Sequence, residues 1–314
     1  MFPAFEPYFR NPHLATIAAN FWKRNLTLQS RPTLFETEPG VRVMAMTTLP
    51  PEPSRGTLVA LHGLEGSHDS GYLQSLAQTG ATLGLTVHRL NMRGCGGTEG
   101  LSKTLYHAGL TADLKAMLPQ LAPPVFLAGF SLGGNVVLKL LGELGDHARA
   151  HVKAAAVCSV PLDLHACCLE MMQPKNQLYE RRFVRSLKQR FRRRAAEHPE
   201  IYETKGLDEI QTVLAFDDRV TAPHFGFGNA ERYYATQSSQ RFIDRVAVPT
   251  LLIQAQDDPL IPFAVYQRHT AFQKNPHLRL LTPEHGGHVG FIARRNPRFW
   301  VDEVFRRFLQ EQLA

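Results

Sequence analysis

Val125-Phe126-Leu127-Ala128-Gly129-Phe130-Ser131-Leu132-Gly133-Gly134 joins an apolar run, a glycine-flanked serine and the start of a helix-forming run. Val125–Gly129 reads as a buried strand and Leu132–Leu144 as a helix, so Gly-x-Ser-x-Gly falls on the turn between them. Such a turn is sharp. A Cβ at either flanking glycine would clash, and the turn lifts the Ser131 hydroxyl clear of the sheet. A glycine-rich turn with an incidental serine would need nothing further from the chain. A nucleophile needs a base, an acid to orient that base, and donors for the oxyanion.

In sites of this kind the acid and then the histidine follow the serine. His285-Gly286-Gly287-His288-Val289-Gly290 lies between the last predicted strand, His277–Leu281, and the final helix, Pro297–Leu313. His288 is the expected base, because His285 is nearer the strand end and better placed to pack or cap the loop. An H-x-x-H metal pair is the other reading, but no nearby carboxylate pattern supports it. The acid should follow the strand Thr250–Ala255, where Asp257 and Asp258 stand side by side. Neighbours in a turn point apart, so only one can face His288. Asp258 is taken here, with Asp257 as its competitor and Asp163 as a third candidate. The oxyanion donors expected are the N–H of Leu132, at the positive end of its helix, and that of Leu64, in His62-Gly63-Leu64-Glu65-Gly66 after the strand Thr57–Leu61. Gly63 permits close backbone approach, and His62 is given a structural role. Arg93-Gly94-Cys95-Gly96-Gly97 matches no phosphate-loop spacing and reads as a tight turn, and Cys95 has no activating base in sequence.

Short apolar runs alternate with helix-length segments from Thr57 to Val160. This indicates an α/β fold with a mostly parallel sheet flanked by helices. The alternation stops after Pro161 and resumes at Thr250. The domain organisation expected is therefore an N-terminal arm over 1–30, an α/β core over 31–161 and 249–314, and a helical cap insertion over 162–248.

The chain has 314 residues, 44% of them hydrophobic and 20% charged, with 23 Gly and 21 Pro, which excludes disordered, collagen-like and disulfide-stapled classes. Four cysteines show no zinc or CxxC spacing and suggest a reducing compartment. No signal peptide and no apolar run of membrane-spanning length is visible, so a cytoplasmic location is expected. The net charge of +7 has one source. Eight basic residues and no acid lie between Arg181 and Arg194, and without them 27 basic residues face 28 acidic ones. That segment could meet an anionic substrate or an anionic lipid surface, or it could be a solvated helix face.

Together these pieces resemble the α/β-hydrolase superfamily and, within it, the YheT-like subfamily related to medium-chain fatty-acid ethyl ester synthases and acylglycerol lipases. The resemblance rests on Asn11-Pro12-His13-Leu14, His62–Gly66, Asn91-Met92-Arg93-Gly94, Gly129–Gly134 with Asn135, Phe216-Asp217-Asp218 with Thr221-Ala222-Pro223, Asp257-Asp258-Pro259 and His285–Gly290, in order along nearly the whole chain. One departure is Ala15 where the pattern has Gln after Leu14. The resemblance implies a Ser-Asp-His triad on Ser131, Asp258 and His288, a cap inserted after the sixth strand, and ester hydrolysis or acyl transfer to an alcohol. A small-molecule ester with a short- to medium-chain acyl group is the expected partner, and no cofactor or metal is expected. A thioesterase or acyl-CoA:alcohol acyltransferase would use the same triad. From another class, a non-catalytic anion- or nucleic-acid-binding protein would use the arginine segment, but nucleic acid is not the expected partner.

Overall fold

Strands β3 (Thr57–Leu61), β5 (Val125–Phe130) and β6 (Ala154–Cys158) are buried at every position, as their uninterrupted apolar sequences require of strands covered on both faces. The computed structural model describes residues 2–314 apart from 23 and 25. The remaining strands are β1 (Ser30–Glu38), β2 (Val41–Thr48), β4 (Thr86–Leu90), β7 (Thr250–Ile253) and β8 (Leu278–Leu281). They form one eight-stranded sheet in the order β1-β2-β4-β3-β5-β6-β7-β8. β1 and β2 form an antiparallel hairpin, and β2 runs antiparallel to β4. Every pairing from β4 through β3 to β8 is parallel.

Side chains alternate between two cores. Leu58, Ala60, Phe126 and Phe130 face one side, under α2 (Gly71–Thr82) and the C-terminal helix Trp300–Leu313. Val59, Leu61, Val125 and Leu127 face the other, under α3 (Ala112–Met117) and α4 (Leu132–Leu144). This second core continues into the segment between β6 and β7, where the chain forms α5 (Leu164–Met171), α6 (Gln177–Glu197) and several short helices. From β3 the sheet grows to β4 on one side and to β5 on the other. That reversal opens a crevice at the carboxyl ends of β3 and β5, where parallel sheets bind ligands.

Three expectations needed adjustment. The N-terminal arm contains a helix, α1 (Pro12–Phe21), whose start is capped by Asn11 Oδ1 accepting from the His13 and Leu14 N–H groups. The predicted helix Phe263–Phe272 is two pieces, Phe263–Arg268 and Ala271–Lys274, separated by His269 in extended conformation. The last helix starts at Trp300 instead of Pro297. Among the described residues, no helix is long and apolar enough to cross a membrane.

Candidate active site

Ser131 stands between β5 and α4 at φ +51° and ψ −122°. Its surroundings impose this unfavourable backbone. Ser131 N–H donates to Cys158 O at 2.9 Å. A Cβ on Gly129 would lie 2.5 Å from Gly133 O, and one on Gly133 would lie 2.6 Å from Leu61 O. Both glycines are thus demanded by the packing of the turn against itself and against β3.

The structure brings Ser131, His288 and Asp258 together. His288 Nε2 is 3.0 Å from Ser131 Oγ, and its Nδ1 is 2.9 Å from Asp258 Oδ2 and 3.2 Å from Oδ1. A carboxylate can only accept, so Nδ1 carries the proton and Nε2 presents its lone pair to the serine hydroxyl. The Asp258 side chain has no solvent exposure. It also accepts from Leu260 N–H at 2.9 Å, Ile261 N–H at 3.1 Å and Gln254 Nε2 at 3.2 Å, which fix its rotamer.

The competitors lie elsewhere. Asp257 Oδ2 pairs with His285 Nδ1 at 3.1 Å, away from the serine, and Asp163 caps α5 by accepting from Ala166 N–H. Asp257 Oδ1 also accepts from Gly287 N–H at 2.9 Å. It is the first of three anchors on the histidine loop. His288 N–H donates to Thr16 Oγ1 at 2.9 Å and Val289 N–H to Ser159 Oγ at 3.1 Å. Sequence reasoning missed Thr16 and Ser159. Both belong to segments far from His288 in sequence, and neither lies in a pattern that marks it.

The loop after β3 lies against the serine: a Cβ on Gly63 would be 3.1 Å from Ser131 Cβ. Within it, Gly63 N–H donates to the Tyr72 hydroxyl, Glu65 N–H to the Tyr106 hydroxyl and Gly66 N–H to Gly63 O. The N–H groups of Leu64 and Leu132 have no acceptor among the described residues. His62 donates from Nδ1 to Gly63 O at 2.7 Å and accepts at Nε2 from Met92 N–H at 3.1 Å. Burial holds this imidazole down to about 4, so it is neutral and structural.

Two cavities meet at Ser131 and His288. One, of about 920 Å³ with its mouth, lies beneath the helices between β6 and β7 and is lined mainly by apolar side chains such as Leu164, Met171, Phe183, Leu187 and Phe216. Asp217 lines it from a π-helical turn, Asp217–Thr221. Burial pushes its carboxyl up to about 6, against hydrogen bonds from Tyr234 and Thr221. The other, of about 1210 Å³, is an open cleft with more polar walls, including Thr16, Asn20, Ser67, Tyr72 and Arg182.

The arginine segment is part of α6 and is divided. Arg181, Arg182, Arg185, Arg192 and Arg193 are exposed, whereas Arg190 and Arg194 are 7% and 1% exposed. Arg194 donates to Glu99 O at 2.5 Å, and Arg190 pairs with Glu65. The buried pair shares a helix face with Val184, Leu187 and Phe191, a spacing that the sequence already contained. Arg93 is likewise structural, bidentate to Asp113 and paired with Glu38. The four cysteines are free and buried, and burial pushes the Cys95 thiol up to about 12. No group of His, Cys, Asp and Glu among the described residues could hold a metal.

A family model described as alpha/beta hydrolase fold matches residues 56–294. The esterase-named protein YheT of Escherichia coli (strain K12) is 32% identical over 94% of this chain and 88% of its own length. A monoacylglycerol lipase of Saccharomyces cerevisiae is 30% identical over 82% of this chain and 60% of its own length. The phospholipase ABHD3 of Mus musculus is also 30% identical, over 82% of this chain and 64% of its own. Among solved structures, an esterase of Pyrococcus furiosus, Pf2001, superposes over the whole of both chains with a TM-score of 0.60 at 16% identity, which shows the shared fold.

Proposed function

The chain belongs to the α/β-hydrolase family, and we propose that it is a carboxylic ester hydrolase working through an acyl-enzyme on Ser131. The continuous hydrogen-bonded line from Ser131 Oγ through His288 to the buried Asp258 carries this reading. His288 Nε2 takes the hydroxyl proton as Oγ attacks the ester carbonyl, and Asp258 holds the ring and stabilises the imidazolium. The free N–H groups of Leu64 and Leu132 receive the oxyanion. His288 then passes the proton to the departing alcohol, and water, activated by the same imidazole, releases the acid.

The two cavities suggest how the ester divides. The acyl chain lies in the apolar cavity under a cap formed by 162–248, and the alcohol leaves through the open cleft. The apolar lining of this cavity supports a short- to medium-chain acyl group as its occupant. Arg182 on the cleft wall, with exposed Arg181 and Arg185, would draw anionic substrates or an anionic lipid surface to that side. A p-nitrophenyl ester series of increasing chain length, combined with a fluorophosphonate probe, tests the reading. Wild type should be labelled and Ser131→Ala should not. Absence of labelling, together with salt-dependent binding to DNA, would transfer the protein to the binding class.

A further inference from the structure

Three groups converge on one carboxylate to which the hydrolytic steps assign no task. Glu65 follows Leu64 in the loop after β3 and is held at φ +56°, a left-handed backbone that a residue with a side chain keeps only where its surroundings fix it. Its side chain is nearly as buried as the arginine it meets. Oε1 accepts from Arg190 Nη2 at 2.5 Å and from the Tyr106 hydroxyl at 3.2 Å, and Oε2 accepts from Ser186 Oγ at 2.9 Å. The Tyr106 hydroxyl also takes the Glu65 N–H at 3.2 Å, and the Arg190 guanidinium lies over the Tyr106 ring, 4.3 Å from its centroid.

Ser186 and Arg190 are one turn apart on α6, so a single face of that helix grips the carboxylate. The same helix walls the apolar cavity through Phe183 and Leu187. At the other end of the connection, the residue before Glu65 carries the unpaired Leu64 N–H. An apolar contact could hold a helix over the site as well as an ion pair does. A buried carboxylate with three directional donors also fixes the orientation of the backbone bearing it.

We propose that Glu65 is a positioning residue: through Ser186, Arg190 and Tyr106 it locks the Leu64 N–H onto the oxyanion and couples the seating of α6 to transition-state stabilisation. The inference rests on the reading of Leu64 as an oxyanion donor. It predicts a defect in the chemical step and not in substrate binding, because the oxyanion charge exists only in the transition state.

The test compares Glu65→Gln, Arg190→Lys and Ser186→Ala with wild type on p-nitrophenyl butyrate, and measures inhibition by an alkyl trifluoromethyl ketone, whose tetrahedral adduct places an oxyanion at the site. Glu65→Gln should lower kcat about 10- to 100-fold with KM changed less than about threefold, short of the ~10²- to 10³-fold of losing an oxyanion donor outright because the N–H is displaced and not removed. The ketone's Ki should rise in parallel. Arg190→Lys, which keeps the charge but loses the planar group over the Tyr106 ring, should fall between Glu65→Gln and wild type. Ser186→Ala should show a smaller shift with the same pattern. Should Glu65→Gln fail to fold, the other two variants carry the same kcat, KM and Ki comparison. The proposal is overturned if kcat and Ki stay at wild-type values, or if KM rises while Ki holds, which would make Glu65 a strut for the cap alone. An inactive, unlabelled wild type would instead overturn the hydrolase reading.

Discussion

Two Asp–His pairs stand side by side in this protein, drawn from the same dipeptide and the same loop. Asp258 meets His288 and Asp257 meets His285, at 2.9 and 3.1 Å. By distance alone they are alike. They differ in what lies beyond the imidazole and around the carboxylate. His288 turns its second nitrogen to Ser131, whereas the second nitrogen of His285 lies 3.7 Å from the exposed Glu284. Asp258 is sealed and accepts from two backbone N–H groups, whereas the Asp257 side chain is 17% exposed and spends one oxygen on Gly287 N–H. An acid–imidazole contact is therefore cheap to form. Reach to Ser131 and burial separate the pair proposed as the relay from the pair that braces the loop.

The most severe way to break this comparison is to remove members of the first line. Ser131→Ala or His288→Ala should reduce kcat by about 10⁵- to 10⁶-fold in an ester assay, as expected for groups that act as a unit. Asp258→Asn should cost about 10³- to 10⁴-fold by favouring the wrong tautomer. Asp257→Asn should cost about tenfold or less, through a looser Gly287, and His285→Ala should stay within about threefold of wild type. Equal losses from the two asparagine variants would show that the pairs share the work.

A third histidine sharpens the contrast. Burial depresses His62 to about 4 from an ordinary 6.5, so the folded state binds fewer protons than the unfolded chain between those values. Its stabilisation is complete above pH 6.5 and is lost as pH falls toward 4, by about 3 kcal/mol. His62→Gln should flatten this part of the stability profile in urea melts at pH 7 and pH 4.5. A pH dependence identical to wild type would mean that His62 titrates normally. The smallest effect concerns the exposed arginines. Replacing Arg181, Arg182 and Arg185 with Gln should raise KM about two- to fivefold for an anionic ester and leave neutral butyrate unchanged. Equal responses would reduce those residues to a solvated face.

Much of the sheet was legible because its strands are buried on both faces and so are written as continuous apolar runs. The elbow was legible because a Cβ on either glycine would meet backbone at 2.5–2.6 Å, a demand that only one residue type satisfies. Long-range side-chain anchoring was not. Thr16 reaches His288 N–H through one hydroxyl from a helix 272 residues away, and a threonine on a helix has many other uses. Asp257 against Asp258 was half legible: divergence of neighbours was foreseeable, but its direction was set by the Leu260 and Ile261 N–H groups that claim Asp258. The arginine cluster misled through composition, since its density suggests solvent, yet its period places Arg190 and Arg194 inward with Leu187 and Phe191.

The backbone of Ser131, at φ +51°, has a consequence for the protein's durability. Glycine would sit there at ease, so Ser131→Gly should be more stable than wild type by about 1 kcal/mol, read as a higher melting temperature. On the mechanism proposed above, selection for heat resistance alone would therefore favour a molecule without its nucleophile. The working form persists only where turnover is selected alongside folding, and a library screened for thermostability needs an activity screen beside it.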